Sequence, residues 1–290
     1  MQAQQKQRWL VLVSLVTLYF VWGGTFLGMR FALESFPPFM MAGLRFFIAG
    51  GLLYLILWKR GEPHPTLKQW GASVVVGTLL LAVGNAGVAY AEQWVDTGPA
   101  ALTIATVPLW ALVFSAFWGD SPHAREWLGI GLGIAGVAIL NMGSSMRASA
   151  LGASVLLIAA AGWAFGSVWS KRLPVPQGAM ASAAQMLAAS AVLMMVSMLS
   201  GEHLKGVPTA KALWSLAYLA IFGSLIAYSA YLYLLKTVRP ALATSYAFVN
   251  PLVAILLGTW LAGEHVGLHE WSALVAILAG VMVVLTAKRG

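Results

Sequence analysis

Residues 240–284 read PALATSYAFVNPLVAILLGTWLAGEHVGLHEWSALVAILAGVMVV, and residues 99–140 read PAALTIATVPLWALVFSAFWGDSPHAREWLGIGLGIAGVAIL. Pro99 matches Pro240, Pro108 matches Pro251, and Gly119-Asp120 matches Gly263-Glu264. Glu126-Trp127 then matches Glu270-Trp271, and Gly136-Val137 matches Gly280-Val281, all at an offset of 141 to 144 residues. A repeat this long is a duplicated domain, well beyond the roughly 20 to 50 residues of a solenoid unit. Both copies contain apolar runs of about 18 residues or more, the length that crosses a bilayer.

Composition agrees. The chain is 60% hydrophobic and 9% charged, against about 25% charged in a soluble domain. Such a chain cannot cover itself with polar groups in water, so the expected class is an all-α polytopic membrane protein. Its net charge of +8 comes from basic residues at helix ends, the pattern of a membrane topology signal, and no nucleic-acid partner is expected. The absence of cysteine removes disulfides, thiolate metal sites and cysteine nucleophiles. Lys6 and Arg8 precede an apolar run of full spanning length without a small-residue cleavage site, which reads as an uncleaved first helix.

Charge, proline and glycine divide the chain into ten expected spans. The first half gives Trp9–Phe31, Pro38–Trp58, Trp70–Gln93, Gly98–Trp118 and Trp127–Met142. The second gives Ser149–Ser170, Gly178–Leu199, Ala212–Leu235, Pro240–Ala262 and Leu268–Ala287. Tryptophans near the span ends, among them Trp9, Trp58, Trp94, Trp118, Trp214 and Trp260, suit an interfacial belt.

With the N-terminus in the cytoplasm, Lys6, Arg8, Lys59, Arg60, Lys68, Arg125, Lys171, Arg172, Lys236, Arg239, Lys288 and Arg289 lie inside. Arg30, Arg147, Lys205 and Lys211 lie outside, and Arg45 falls within the second span. This bias sets both termini in the cytoplasm of a bacterial inner membrane. Five spans per half is an odd number, so residues 1–146 and 147–290 enter the membrane from opposite sides. That is an inverted-topology repeat, the symmetry that suits alternating access.

The second copy, with Pro240-Ala241-Leu242-Ala243, Pro251, Gly263-Glu264 and Gly280-Val281, resembles the EamA domain of the drug/metabolite transporter superfamily. Trp22-Gly23-Gly24-Thr25-Phe26 is similar to that family's first-helix motif, and Trp163-Ala164-Phe165-Gly166-Ser167 is a weaker counterpart. Within the superfamily the likeness is to the YedA-like exporters. Asp120 departs from the pattern, standing where the family usually has Glu. The resemblance implies a secondary exporter of small amphipathic metabolites, such as amino acids, or of organic cations. It also implies that helices five and ten brace the bundle and do not line a pathway.

Polar groups inside a bilayer are functional candidates by default. Arg45 lies seven residues after Pro38, roughly 10 Å below the outer surface at about 1.5 Å per residue. Glu92 lies near the outer end of helix three. The two can meet as an outer gate, or Glu92 can carry a coupling proton. The gate is preferred because Glu92 stands so near the surface; the plainer alternative is that both side chains reach outward to water. Asn85 precedes Glu92 by two turns and shares its face. Tyr246 and Asn250 share a face just before Pro251, and Pro108 and Pro251 each free a backbone carbonyl. Asn250 therefore either binds substrate or repairs the interrupted helix. Trp22 and Thr25 on helix one, Trp163 on helix six and Tyr228 on helix eight complete the expected substrate-binding set, and Tyr231 extends the aromatic face of helix eight. Aromatic walls with sparse hydrogen-bonding groups suit an amphipathic or cationic solute, although each ring alone is equally explained by packing.

Gly129, Gly133, Gly136, Ala276 and Gly280 form small-residue seams, between halves or between protomers. The spacing of His265 and His269 permits zinc on a helix, but in an outer loop it reads as solvated surface, and no metal or cofactor is expected. The expected partners are a small-molecule substrate and the lipid bilayer, in a chain compatible with a monomer or a homodimer. A passive facilitator or channel is the rival function, although no charge ring or carbonyl filter supports one. An integral membrane enzyme is a weaker rival, since nucleotide-loop, GxSxG and HExxH motifs are absent.

Overall fold

The computed structural model describes residues 2–119, 123–142, 149–204, 206–238, 243 and 245–286. Asp120, Pro240, Ala241 and Leu242 of the repeat lie outside the described residues, as do Arg147, Lys205, Arg239, Lys288 and Arg289 of the charge pattern. The described residues contain helices and connecting turns, with no strand. In order they form α1 (Gln5–Ala32), α2 (Pro38–Lys59), α3 (Leu67–Ala91) and α4 (Thr97–Trp118), followed by α5 (Ala124–Asn141). Then come α6 (Ala150–Ser170), α7 (Gly178–Leu199) and α8 (Ala210–Thr237), then α9 (Tyr246–Ala262) and α10 (Leu268–Thr286). Seven of these, α1 to α4 and α6 to α8, are long and apolar enough to cross a membrane, and shorter apolar helices lie within α9 and α10. Helices are the expected outcome, because a bilayer leaves backbone groups no partner but one another.

Helix ends follow local chemistry. Thr66 and Gln69 form a reciprocal capping box at α3, and Ser149 and Thr209 cap α6 and α8 through their hydroxyls, each satisfying an otherwise orphaned N–H. Gly263 ends α9 at φ +67°, a left-handed conformation that glycine adopts without steric cost.

Three interruptions were not expected. The hydrogen bonding of α1, α3 and α8 widens to π turns at Leu18–Trp22, Thr78–Ala86 and Leu219–Ile226. The stretches in α3 and α8 begin 141 residues apart, within the offset of the sequence repeat. α4 is broken between Ile104 and Val107, just ahead of Pro108, whereas α9 runs through Pro251 without a break.

The packing is exchange-symmetric. α2 lies against α7, α5 against α10 and α4 against α9. The pairs α1·α8, α1·α9 and α2·α8 recur as α6·α3, α6·α4 and α7·α3. These inter-half pairings therefore map onto one another when helix n is exchanged for helix n+5, whereas the α10·α4 contact has no counterpart of similar extent.

The α5–α10 seam lies within one chain. A Cβ at Gly280 would stand 2.6 Å from the Gly129 carbonyl and 2.8 Å from the Gly133 nitrogen, and one at Gly136 would stand 2.6 Å from Ile277. Backbone that close admits no side chain, and in lipid such close packing replaces the missing hydrophobic drive between helices. Gly280→Val is expected to cost about 1–3 kcal/mol through overpacking and to lower the melting temperature of the purified protein. Gly131→Ala, on the same seam helix but with open space around it, should leave the melting temperature unchanged. Equal melts for the two variants would rule out a tight seam.

Candidate functional site

A cavity of about 60 Å³ lies at the centre of the bundle. α1 lines it with Trp22, Thr25, Phe26 and Met29; α3 adds Gly84, Asn85 and Val88, and α6 adds Ala159 and Trp163. Ile104, beside the α4 break, and Tyr246 and Asn250 of α9 complete it. Six of the seven sequence-predicted substrate-binding residues thus share one wall-to-wall site. Tyr228 does not: it is buried outside the cavity lining and its hydroxyl donates to Gln185 Oε1. The side chains of α5 and α10 do not reach the cavity.

The floor is an aromatic knot. Trp22 meets Trp163, Tyr231 and Tyr246 at ring separations of 5.5, 5.2 and 5.1 Å, and Tyr231 meets Tyr246 at 5.9 Å. Such pairs each contribute about 0.5–1.5 kcal/mol. Their polar edges are answered: the Trp163 indole and the Ser167 hydroxyl both reach the Tyr231 hydroxyl, at 3.3 and 3.1 Å. A separate vestibule of about 710 Å³ opens between the α1–α2 and α7–α8 turns. Its lining includes Phe39 and Tyr90, stacked 5.2 Å apart. The vestibule falls within the roughly 300–1,000 Å³ of small-molecule sites, and the central cavity falls well below it.

The cavity side chains also tend the interrupted helices. The Trp22 indole N–H donates to the Gly223 carbonyl in the α8 π turn at 3.0 Å. In the amide orientation that satisfies its neighbours, Asn250 donates to the carbonyls of Leu18 and Tyr19, both at 3.1 Å. It also donates to the Tyr246 carbonyl of its own helix at 3.2 Å, so Asn250 tends both α1 and α9 while it faces the cavity.

The expected Arg45–Glu92 gate pair is not formed. Arg45 is 1% exposed; its Nε donates to Ser224 Oγ at 2.5 Å and its Nη1 to Asn85 Oδ1 at 3.0 Å. It is thus held between the π turns of α3 and α8. Glu92 is 5% exposed, and neither of its carboxylate oxygens has a hydrogen-bond partner among the described residues. The expectation of a hydrated Glu92 near the surface fails because the residue is buried at the end of α3. Its charged neighbours there are Glu264 and Arg30.

Two carboxylates that hydropathy reading passed over hold the vestibule end together. Glu264 accepts from Thr97 N, Thr97 Oγ1 and Gly98 N at 3.0, 2.8 and 3.4 Å, capping α4 from the other half of the chain. Arg30 bridges it to Asp96, at 3.3 and 3.0 Å. Glu202 accepts from Phe39 N and Met40 N at 3.1 and 2.7 Å, so it caps α2 from the end of α7. A carboxylate at a helix N-terminus is favoured by the helix dipole. The signal for Glu202 was present in the sequence: Gly61-Glu62 and Gly201-Glu202 end α2 and α7 at an offset of 140 residues. The groups at His265 and His269 form no metal cluster among the described residues.

These features define a polytopic helical membrane protein with a small central cavity floored by aromatic rings and a larger vestibule between its helix turns. The model of the EamA-like transporter family matches the chain twice, over residues 8–142 and 150–286, and the chain belongs to that family. It is a membrane transporter. It is 48% identical over 276 residues to YedA of Escherichia coli (strain K12), described as an uncharacterised inner membrane transporter, covering 95% of this chain and 90% of that one. It is 24% identical over 280 residues to the transporter YoaV of Bacillus subtilis (strain 168), covering 94% of each. A solved crystal structure at 20% identity shares the fold with a TM-score of 0.68, over 94% of this chain and 96% of the other.

Glu264→Ala strips three donors at the buried start of α4 and is expected to cost about 3 kcal/mol. Arg30→Met, at a half-exposed position, should cost about 1 kcal/mol or less. Thermal unfolding of the purified variants checks the ranking, and a reversed order would remove Glu264 as the organising cap.

Proposed function

We propose that this protein is a secondary transporter that exports small amphipathic organic solutes across the bacterial inner membrane by alternating access. The observation that carries the reading is a central cavity built from both halves and floored by aromatic rings. A site built this way is exposed to each side in turn when the two halves exchange conformations. The inverted repeat, residues 1–146 against 147–290, is supported by the two family matches, the recurrent π turn and the exchange-symmetric packing. With ten spanning helices and both termini in the cytoplasm, the vestibule faces outward. The printed description of the 48% identical relative supports the inner membrane as the location. Aromatic walls with two amides and two hydroxyls, those of Thr25 and Tyr246, suit a molecule with a hydrophobic body and a polar head.

The protein reconstituted in liposomes is expected to show saturable exchange of at least one amino acid or related amphipathic metabolite, accelerated by the same solute on the far side. Flux linear in concentration, without such counterflow, would instead indicate a facilitator. In intact cells, single cysteines replacing Lys6 or Lys288 should resist an impermeant thiol reagent applied from outside; labelling there refutes the orientation.

Coupling is assigned to Glu92. Among the described buried carboxyls it is the one with neither oxygen bonded, and a group that binds and releases protons cannot be locked in a permanent ion pair. Glu92→Gln should abolish accumulation driven by an imposed pH gradient while preserving counterflow. Undiminished accumulation in that variant would exclude Glu92 as the proton carrier.

A further inference from the structure

Arg45 is the largest polar anomaly in the molecule. It is among the largest fully buried side chains, and guanidinium does not give up its proton in proteins. The groups that hold it, Ser224, Asn85 and the Phe46 ring 5.0 Å from Cζ, are neutral. No carboxylate lies within ion-pair distance of it among the described residues. The acids of the vestibule end are engaged elsewhere or stand apart. Glu264 caps α4 and meets Arg30, Glu202 caps α2, and the charged neighbours of Glu92 are Glu264 and Arg30. Tyr218, the remaining titratable group near Arg45, donates its hydroxyl to the Val21 carbonyl.

The guanidinium also lies directly behind the cavity wall. Asn85, which accepts from Nη1, lines the cavity. A Cβ placed at Gly223 would stand 3.0 Å from Arg45 Nη2 and 2.8 Å from Thr25 Cγ2, so Nη2 and the cavity-lining Thr25 converge on one glycine. Nη2 makes no hydrogen bond among the described residues, which leaves its two donors unanswered beside the site.

An uncompensated buried charge is costly, and removing a counter-charge from a buried pair typically costs several kcal/mol. Here the counter-ion is missing from the protein at the one place where a solute would bring it. We propose that Arg45, screened by Asn85 and Ser224, is the anion subsite of the central cavity, and that the transported solute carries a carboxylate. The inference rests on the transporter reading and narrows it: free amino acids and amphipathic carboxylates fit, whereas organic cations lacking a carboxylate are repelled. Rotation of the Asn85 amide away from Arg45 would let a carboxylate accept from Nη1 and Nη2 as a fork, the geometry guanidinium favours. The aromatic knot would then take the apolar end of the solute.

The test uses the full chain in detergent and four probes that share one ring. Phenylalanine and 3-phenylpropanoate carry a carboxylate; phenylalaninamide and phenethylamine do not. Ligand-induced stabilisation is read from the melting temperature, and affinity from titration. The carboxylate-bearing pair should bind at least tenfold more tightly than the two cations. Cations that bind as well as the acids overturn the anion subsite and leave the transporter reading standing, whereas failure of all four probes overturns both. Asn85→Asp supplies the missing counter-ion next to Arg45 without removing it. That variant should melt higher than the parent when empty and bind 3-phenylpropanoate at least tenfold more weakly. Undiminished binding of 3-phenylpropanoate by Asn85→Asp overturns the proposal, as does undiminished binding by a folded Arg45→Met. Arg45→Lys, keeping the charge without the fork, should retain the preference for acids at reduced affinity.

Discussion

Inside a bilayer a helix can depart from regular hydrogen bonding only where another part of the protein answers the groups it frees. Much of this structure follows from that constraint. The π turns of α1 and α8 loosen carbonyls in the apolar interior, and side chains from other helices attend to them. Asn250 of α9 reaches Leu18 and Tyr19 of α1, while Trp22 of α1 reaches Gly223 of α8. The residues that face the cavity therefore also hold its walls in register. π turns frequently mark functional positions, and here two of them, in α3 and α8, hold the buried guanidinium between them.

The same economy organises the electrostatics. At the vestibule end, carboxylates are spent on helix N-termini: Glu264 on α4 and Glu202 on α2, each reaching from the opposite half of the chain. These contacts tie the halves together where the bundle is open. At two other buried groups the balance reverses. Arg45 has polar contacts but no counter-charge, and Glu92 has neither oxygen bonded. Separate buried groups that form no ion pair with each other suit a protein that binds charged species transiently, because a permanent internal pair would satisfy both and leave nothing to exchange. Glu62, the repeat counterpart of Glu202, is exposed, so the two ends of the bundle are clasped unequally, as a structure open at one end requires.

Much of this was legible in the sequence because the signals are local or periodic. Apolar runs, helix-end glycines and the offset repeat are properties of neighbouring residues, and they located the helices and their duplication. Trp22, Thr25, Asn85, Trp163, Tyr246 and Asn250 were also legible as a set, since polar or amphipathic side chains at mid-helix depth have few other reasons to be in a membrane.

The partners of those residues were not legible. Tyr228 sits on the same aromatic helix as Tyr231 yet turns to Gln185, and Arg45 bypasses Glu92 for Asn85 and Ser224. Which way a side chain points around a helix changes by roughly 100° per residue, so each widened π turn rotates everything beyond it relative to a regular count. The sequence by itself determined that this is a duplicated bundle of apolar helices with a sparse polar interior. Only the tertiary structure decided where those helices loosen, and hence which face each buried charge meets, because that rotation is set by packing between segments distant in the chain.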